Sequence, residues 1–312
     1  MSNPPKPDAV LDTLIVGGGP AGLSAALVLG RCTRRVLVCD SGEPRNQESA
    51  RVSGYLSLDG CRPADLRSVG RRQLQPYTSV EVRDCAVEDI AGEMGAFRAT
   101  LADGATVTAK RILMATGLRD TFPPLEGVKR LWGKGVWTCP YCDGWELRDK
   151  PVAVYGAGPG IVGFALELRL WTADLVLLTD GDPKLDDRDL AVLDRAGVRV
   201  IADPVERLEG DEALEQVRFR GGETLPREAL FFLADAHQRS PLVEKLGCEL
   251  TDRGTAETSS YERSNVPGVY VAGDASRRVQ FAIVAAAEGA MAAFAINTEL
   301  LHEERAALEA GL

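Results

Sequence analysis

The chain has 312 residues, with 46 acidic and 36 basic side chains and a formal net charge of -10. This acidic balance disfavours general binding to nucleic acid or to a membrane surface, and the length suits two domains of ordinary size. We therefore expect small molecules or proteins as partners. The stretch from Met1 to Asp12 is short, polar and proline-rich, without the apolar core of a secretory signal, which predicts a cytoplasmic protein.

The first informative segment is a glycine-rich turn between a strand and a helix. Residues 13–16 predict a buried parallel strand, and residues 17–22 form a complete GxGxxG pattern before an apolar helix. In such a turn the first glycine permits the tight bend, the second lets the backbone approach a pyrophosphate, and the third lets the helix pack on the strand. The pattern assigns five residues to a dinucleotide site: Gly17, Gly19, Pro20, Ala21 and Gly22.

Two further strands extend this domain. Residues 35–39 predict a second strand that ends at Asp40, at the spacing where a dinucleotide-binding fold places the acid that binds a ribose hydroxyl. Residues 111–114 predict another strand, which runs into an Ala-Thr-Gly turn. The series of strand, glycine turn, helix, strand and acid is more specific than an isolated GxGxxG.

Residues 139–144 read Cys-Pro-Tyr-Cys-Asp-Gly, a CxxC motif followed by a carboxylate. A zinc site would need a second pair of ligands at related spacing, and the other cysteines form no second CxxC, so we expect no metal. In a reducing compartment a CxxC is more often redox-active than a structural cross-link. The motif predicts Cys139 and Cys142 as a catalytic dithiol–disulfide pair. Cys32 and Cys39 adjoin apolar elements and are expected to be small buried hydrophobes.

A second glycine turn follows the CxxC but departs from the pattern. Residues 151–155 predict a strand and Gly156-Ala157-Gly158 begins the fingerprint, yet the third small position is Ile161. A branched side chain there is expected to hold the helix away from the strand and to disturb a phosphate site. The next strand runs into Asp180, which repels a phosphate but would suit the ribose of NADH. The sequence predicts a second nucleotide-binding-like domain whose nicotinamide site is weakened or lost.

The C-terminal part supplies one more strand and one long helix. Residues 268–271 predict a strand that ends in Ala-Gly-Asp. Residues 279–301 are alanine-rich and weakly charged, but they are interrupted by Gln, Glu and Asn. This composition predicts a buried helix and not a membrane span.

The order of these motifs resembles the low-molecular-weight thioredoxin reductases over essentially the whole chain. The resemblance implies an α/β fold with two Rossmann-like nucleotide-binding domains of the three-layer ββα type. It implies an FAD-binding domain made of residues 1–118 and 244–312, and an NAD(P)-binding-like domain of residues 119–243 that carries the CxxC. It also implies a homodimer.

For the flavin site, the resemblance places Asp274 at the ribitol and Gln280 beside the isoalloxazine. In the family this glutamine usually stands in an Arg-Gln-Ala run, whereas here Phe281 follows it, so different groups are expected to pack the flavin edge. The other cofactor-binding positions that it implies are Asn46, Val87, Ala115, Thr116, Gly117 and Gly273.

Within the CxxC, the resemblance makes Cys142 the sulfur beside the flavin and Cys139 the sulfur that exchanges with an outside dithiol or disulfide. It makes Asp143 the acid/base, which suits the chemistry because the attacking species is a thiolate and a neighbouring base must take up its proton. A turn-forming Asp-Gly is the alternative role for Asp143. His237 is a candidate for removing substrate protons, and a linker histidine bonded to backbone is the alternative.

Members of the family that use NADPH carry a His-Arg-Arg run where this chain has Thr179-Asp180-Gly181, so NAD(P)H use is doubtful. The leading hypothesis is an FAD-dependent thiol oxidase that converts a dithiol to a disulfide and O2 to hydrogen peroxide. In its Cys-Pro-Tyr-Cys and its missing arginines the chain resembles the dithiol oxidases that close the disulfides of holomycin, gliotoxin and romidepsin. A reductase of thioredoxin-like proteins, fed by NADH, NADPH or ferredoxin, is the alternative. A non-catalytic flavin redox sensor is the third hypothesis.

Overall fold

The computed structural model describes residues 10–158, 160–277 and 279–311. Within them the strands are β1 (Leu11–Val16), β2 (Val36–Cys39), β3 (Val80–Arg83), β4 (Val87–Ala91), β5 (Phe97–Leu101), β6 (Thr106–Met114), β7 (Leu118–Asp120), β8 (Val136–Trp137), β9 (Val152–Tyr155), β10 (Leu175–Leu178), β11 (Arg199–Ile201), β12 (Val205–Glu209), β13 (Gln216–Phe219), β14 (Thr224–Pro226), β15 (Ala229–Phe232), β16 (Ala236–Gln238) and β17 (Val269–Val271).

The α-helices in the same residues are α1 (Pro20–Arg31), α2 (Pro63–Leu74), α3 (Val128–Leu131), α4 (Pro140–Asp143), α5 (Gly160–Leu168), α6 (Asp187–Arg195), α7 (Leu242–Lys245) and α8 (Ala282–Ala310). Short 3₁₀ helices span Gly144–Leu147, Ser260–Glu262 and Gly273–Ala275. These elements form two compact units. The first unit contains the described residues of 1–47, 54–119 and 236–312, and the second contains residues 48–53 and 120–235.

The first unit is built on a parallel sheet in the order β3-β2-β1-β6-β17. Strand β6 also pairs antiparallel with β5, and β5 with β4, so that a β-meander continues from the same strand. Because side chains alternate along a strand, Ile15 faces the core with α1 and α8, whereas Leu14 and Val16 face the core with the meander. The unit therefore has three layers, with helices on one face of the parallel sheet and the meander on the other.

Helix α8 approaches α1 closely. A Cβ atom at Gly289 would lie 1.9 Å from the carbonyl oxygen of Ala21, so only glycine fits at this contact. By length and composition α8 could cross a membrane, with a mean hydropathy of 1.3 in its most apolar window, but 50% of that window is buried within the protein. The expectation of a buried helix is confirmed for the face of α8 that packs with α1 in the core of the first unit.

The second unit repeats the three-layer arrangement. Its parallel sheet has the order β11-β10-β9-β15-β8, and the separate strands β12, β13 and β14 form an antiparallel meander. Val154 and Leu177 face the core with α5 and α6, whereas Ala153 and Val176 face the core with the meander. The predicted α/β fold class, with its two Rossmann-like halves, is confirmed.

The two cysteines that were expected to be buried behave differently. Cys39 ends β2 and is buried, and the loss of solvation raises the pKa of its thiol to about 12. Cys32 is exposed, so its prediction is wrong. It follows the last turn of α1, where the chain leaves the helix through Thr33 in a left-handed conformation at φ 57°. The apolar pattern of α1 therefore ends before Cys32.

Replacing Gly289 by Ala is expected to destabilise the first unit by about 1–3 kcal/mol, because the added methyl group would overlap the carbonyl oxygen of Ala21. Urea unfolding followed by circular dichroism measures the change. Met291→Ala is the matched control, since Met291 lies exposed on the same helix and its loss should change the stability by about 0.5 kcal/mol or less. Equal unfolding midpoints for the two variants would contradict the close approach of α1 and α8.

Candidate active site

The first glycine turn joins β1 to α1 and leaves no room for side chains on its inner face. Gly17 has a φ of 116°, and a Cβ atom there would lie 2.2 Å from the carbonyl oxygen of Ala115. A Cβ atom at Gly22 would lie 2.0 Å from the carbonyl oxygen of Gly17. At Gly19, by contrast, no atom of the described residues beyond its neighbours in the chain and its own helix lies within 4 Å of that position. The turn is therefore tight against the sheet and open at Gly19, which is the shape that admits a pyrophosphate.

Asp40 lies beside this turn, as predicted, but it already has protein partners. A Cβ atom at Gly18 would lie 2.3 Å from Oδ2 of Asp40. The carboxylate accepts a hydrogen bond from the backbone N–H of Gly42 at 3.0 Å and forms an ion pair with Arg71 of α2 at 2.6 Å. Sequence reasoning missed Arg71, because no motif marks an arginine on the face of a separate helix.

The Gly-Asp turn after β17 is hydrogen-bonded to a side chain of α8. Gly273 has a φ of 77°, and its backbone N–H donates to Oε2 of Glu288 at 2.8 Å. Burial raises the pKa of Glu288 to about 7, against the lowering effects of this hydrogen bond and of Arg277, which forms an ion pair with it at 2.9 Å. Glu288 thus fixes the turn that carries Asp274.

Arg45 connects two of the predicted flavin-site residues. Its guanidinium forms an ion pair with Asp274 at 2.9 Å and also donates to Oε1 of Gln280. Gln280 donates in turn to the backbone carbonyl of Arg277 at 3.3 Å. Phe281 is the N-cap residue directly before α8. Sequence reasoning missed Arg45, although it adjoins the predicted Asn46.

The remaining predicted cofactor positions lie in the same unit. Ala115 follows β6 directly and is buried, and the buried Oγ1 atom of Thr116 has no hydrogen-bond partner among the residues that the structure describes. Gly117 has a φ of 68°. Val87 opens β4, and Asn46 is half-buried in the segment after β2. The open turn at Gly19, the acids beside it and the unpartnered Thr116 hydroxyl fit a dinucleotide with hydroxyl and phosphate groups, such as FAD.

In the second unit, Cys139 and Cys142 form a disulfide, with their Cα atoms 5.3 Å apart. Cys139 precedes α4, and the buried Pro140 is the first residue of that helix, a position where the missing N–H is harmless. The backbone N–H of Cys142 donates to the carbonyl of Cys139 at 3.2 Å. One helical turn therefore brings the two sulfurs together.

Asp143 is half-buried directly after the disulfide. The pKa of its carboxyl is raised to about 7, chiefly by loss of solvation and next by the negative charge of Glu146, whereas the positive charge of Arg51 lowers it. The following Gly144 has a packing role, because a Cβ atom there would lie 2.7 Å from the indole ring of Trp171. The Asp-Gly pair thus combines a carboxyl that can titrate near neutral pH with a close contact that only glycine permits.

Exposed aromatic side chains flank the disulfide within this unit. Tyr141 is 60% exposed and Trp145 is 64% exposed. The ring of Tyr141 meets that of Trp171 edge to face, with centroids 6.0 Å apart. The exposed ring of Tyr141, which stands between the two cysteines in sequence, offers apolar area near the sulfurs. The guanidinium of Arg148 lies over the ring of Trp145, 3.4 Å from its centroid.

His237 lies exposed on β16, which belongs to the first unit, whereas the disulfide belongs to the second. Its role in proton transfer stays a prediction. Among residues 10–158, 160–277 and 279–311 no cluster of three or more His, Cys, Asp or Glu side chains is arranged to hold a metal ion.

The second glycine turn, between β9 and α5, makes close contacts with other residues of its own unit. Ile161 is 2% exposed, and its Cδ1 atom lies 3.0 Å from the Cβ position of Gly156. The backbone N–H of Gly158 donates to the carbonyl oxygen of Pro183 at 2.9 Å. Asp180 accepts hydrogen bonds through both oxygens, from the Tyr155 hydroxyl at 2.9 Å and from a backbone N–H at 2.8 Å. The groups that would meet a nucleotide are therefore bonded within the protein.

This combination of two Rossmann-like units, a glycine turn open to a dinucleotide and a CxxC disulfide defines a flavin-linked disulfide oxidoreductase. The family model of the pyridine nucleotide-disulphide oxidoreductases matches residues 11–289, and the chain belongs to that family. The predicted resemblance to thioredoxin reductases is confirmed: the protein is a thioredoxin reductase-like flavoenzyme that uses FAD and acts on sulfur groups.

Known relatives match over almost the full length. Thioredoxin reductase tcpT from Claviceps purpurea is 30% identical over 307 residues, which cover 94% of this chain and 95% of that protein. The crystal structure of HlmI superposes with a TM-score of 0.92 and 37% identity, covering 97% of this chain and 96% of HlmI. The crystal structure of a putative thioredoxin reductase TrxB from Bacillus anthracis superposes with a TM-score of 0.89 and 31% identity, covering 94% and 99%.

Replacing Gly17 by Ala is expected to abolish FAD retention, because the new Cβ would overlap the carbonyl of Ala115 and displace the turn. The ratio of flavin to protein absorbance after purification measures this. Gly42→Ala is the matched control, since Gly42 also has a positive φ of 78° but no atom lies within 4 Å of its Cβ position. It should keep its flavin at a modest loss of stability of about 1 kcal/mol. Full flavin content in Gly17→Ala would overturn the assignment of this turn.

Proposed function

We propose that the protein is a thiol oxidase, which converts a dithiol to a disulfide and passes the two electrons to O2 to give hydrogen peroxide. The proposal concerns the direction of electron flow within a flavin-linked disulfide oxidoreductase. It takes the dithiol as the electron donor in place of a nicotinamide. The protein would act in the cytoplasm as a homodimer on a small-molecule dithiol.

The observation that supports the proposal is that the second glycine turn, between β9 and α5, is packed and hydrogen-bonded within its own unit. In the first unit the third glycine, Gly22, admits no side chain, whereas the equivalent position of the second unit holds Ile161 packed against Gly156. The amide of Gly158 is bonded to Pro183 and would have to break that bond to meet a phosphate. The carboxylate of Asp180 adds negative charge where a nucleotide 2′-phosphate would lie. Hydride delivery from NAD(P)H is therefore disfavoured, which supports a dithiol as the donor in place of a nicotinamide.

The residues of the second unit can carry out the thiol exchange by themselves. A substrate thiolate attacks Sγ of Cys139, which breaks the Cys139–Cys142 bond and leaves a mixed disulfide together with a thiolate on Cys142. The second substrate thiol then attacks the mixed disulfide, so that the substrate leaves as a disulfide and both cysteines are reduced. Asp143 takes the proton from the attacking thiol and returns it to the departing sulfur.

FAD held in the first unit would supply a two-electron acceptor for the reduced cysteines and a route for those electrons to O2. In the first unit, Asp40 and Asp274 would hold the ribose and ribitol hydroxyls, and the turn from Gly17 to Gly22 would hold the pyrophosphate. The exposed ring of Tyr141 near the sulfurs supports a substrate with apolar surface. A small dithiol of this kind suits it better than a highly charged one.

A disulfide reductase acting on a thioredoxin-like protein is the second candidate. The relatives named thioredoxin reductase favour it, since one of them matches 94% of this chain. Its donor would be NADH, NADPH or ferredoxin. The two candidates differ in which reagent reduces the flavin.

Aerobic mixing with a panel of small dithiols is expected to consume O2 and to form hydrogen peroxide in equal amounts, which an oxygen electrode and a peroxidase-coupled assay measure. Cys139→Ser and Cys142→Ser should lose this activity and keep FAD, because neither can form the disulfide. Cys32→Ser, at an exposed cysteine outside the motif, is the matched control and should stay active. Anaerobic bleaching of the flavin by NADPH or NADH, without O2 consumption on any dithiol, would favour the reductase instead.

The rate of dithiol exchange is expected to rise with pH through about 7, because the carboxyl of Asp143 accepts a proton only when it is ionised and its pKa is raised to about 7. Asp143→Asn should lose this rise and slow the exchange by about 10²–10⁴-fold at pH 8, since an amide cannot accept the proton. Asp149→Asn is the control, as Asp149 is exposed and has a φ of 60° that asparagine tolerates. An unchanged pH profile in Asp143→Asn would remove Asp143 from the mechanism.

A further inference from the structure

The segment Glu48–Ser53 forms part of the disulfide-bearing unit, although the residues before and after it belong to the first unit. We call this segment the strap. A Cβ atom at Gly133 would lie 2.3 Å from the carbonyl oxygen of Glu48. The strap therefore packs on Gly133 of the same unit, at a point where only glycine fits. Val52, near its other end, is 5% exposed. The strap is therefore closely packed at Glu48 and buried at Val52, and Arg51 lies between these two positions.

Arg51 forms an ion pair with Glu146, with Nη1 and Oε1 2.8 Å apart. Glu146 lies in the 3₁₀ helix Gly144–Leu147, whose preceding residue is Asp143. The pair thus stands next to the carboxyl that adjoins the Cys139–Cys142 disulfide. Among the described residues, the charged groups that act on the ionisation of Asp143 are Glu146, from its own segment, and Arg51, from the strap.

The two charges act on Asp143 in opposite directions. A carboxylate at Glu146 repels a second negative charge and favours the protonated form of Asp143, whereas the guanidinium of Arg51 favours the ionised form. Because Asp143 is half-buried, these charges are screened less than they would be in open water. While the ion pair is intact, their effects partly cancel. Burial then remains the largest influence on the carboxyl.

We propose that Arg51 and Glu146 are positioning residues whose opposed charges set how readily Asp143 exchanges its proton during the thiol–disulfide step. The inference rests on the proposed role of Asp143, but not on O2 as the acceptor. It assigns a function to the strap, a segment that carries no recognised motif. Neither side chain needs to touch the substrate.

The test uses the FAD-loaded enzyme and the anaerobic reduction of its flavin by dithiothreitol, followed by stopped-flow absorbance from pH 5.5 to 9. Arg51→Gln removes the positive charge and should move the midpoint of the pH profile upward. Glu146→Gln removes the negative charge and should move it downward. A shift of about one pH unit changes the ionised fraction about tenfold on the acidic side of the midpoint. The double variant should return close to the wild-type profile.

Opposite shifts separate this proposal from a structural role for the ion pair. If the pair only held the strap in place, both single variants would lose the same contact and change in the same direction. Arg51→Lys keeps the charge and should keep the profile. Lys150→Gln is the matched control, because Lys150 forms an ion pair of similar length, 2.9 Å, with Glu228 in the same unit. Its profile should not move.

Three results would overturn the proposal: shifts in the same direction, no shift in either variant, or shifts that persist when Asp143→Asn is also present. The assay stays informative if the oxidase proposal fails. O2 consumption tests the acceptor, whereas flavin bleaching by a dithiol in the absence of O2 tests only the exchange at the cysteines. Failure of dithiothreitol to bleach the wild-type flavin would count against both, and bleaching without O2 consumption would count against the oxidase alone.

Discussion

The close approach of backbone to backbone on both sides of α1 is the constraint on which the cofactor-binding unit depends. On one side Gly22 lies against the carbonyl of Gly17, and on the other Gly289 of α8 lies against the carbonyl of Ala21. No side chain fits at either contact. Helix α1 is therefore fixed between the sheet and α8, and its first turn begins at the open position of Gly19. A phosphate-binding turn needs this fixed helix, because its amides must already point at the ligand.

The second unit keeps the topology of the first but not this constraint. Its sheet, helices and meander repeat the same three layers, which shows that the fold does not require a glycine at the third position. There Ile161 joins the apolar core on the helical face, and the turn closes through the bond from Gly158 to Pro183. The apolar packing that stabilises the unit thus includes the position at which the dinucleotide-binding pattern has its third glycine. Fold and ligand binding are separable within one chain, which is why the direction of electron flow has to be argued from the site.

Local patterns made most of the fold predictable. The glycine turns, the apolar strands and the CxxC are short signals whose meaning depends on neighbours in sequence, so β1, α1, β9 and the disulfide could be inferred. Contacts between distant segments could not. Arg45 pairs with Asp274 across 229 positions of the chain, and no periodicity marks either partner. The same holds for Glu288, a polar residue in an alanine-rich helix that is held by the amide of Gly273.

The segment between β2 and α2 connects these observations physically. It carries Arg45, which binds the acid of the Gly-Asp turn in the first unit, and six residues later Arg51, which binds Glu146 in the second. Charge beside Asp143 is supplied by a segment that is distant in sequence from the CxxC motif but belongs to the same unit. A guanidinium on the short helix of the CxxC itself would move with the cysteines, whereas the strap holds its charge from a separate, packed backbone. Proton transfer at the disulfide can in this way be adjusted without altering the residues that carry the sulfurs.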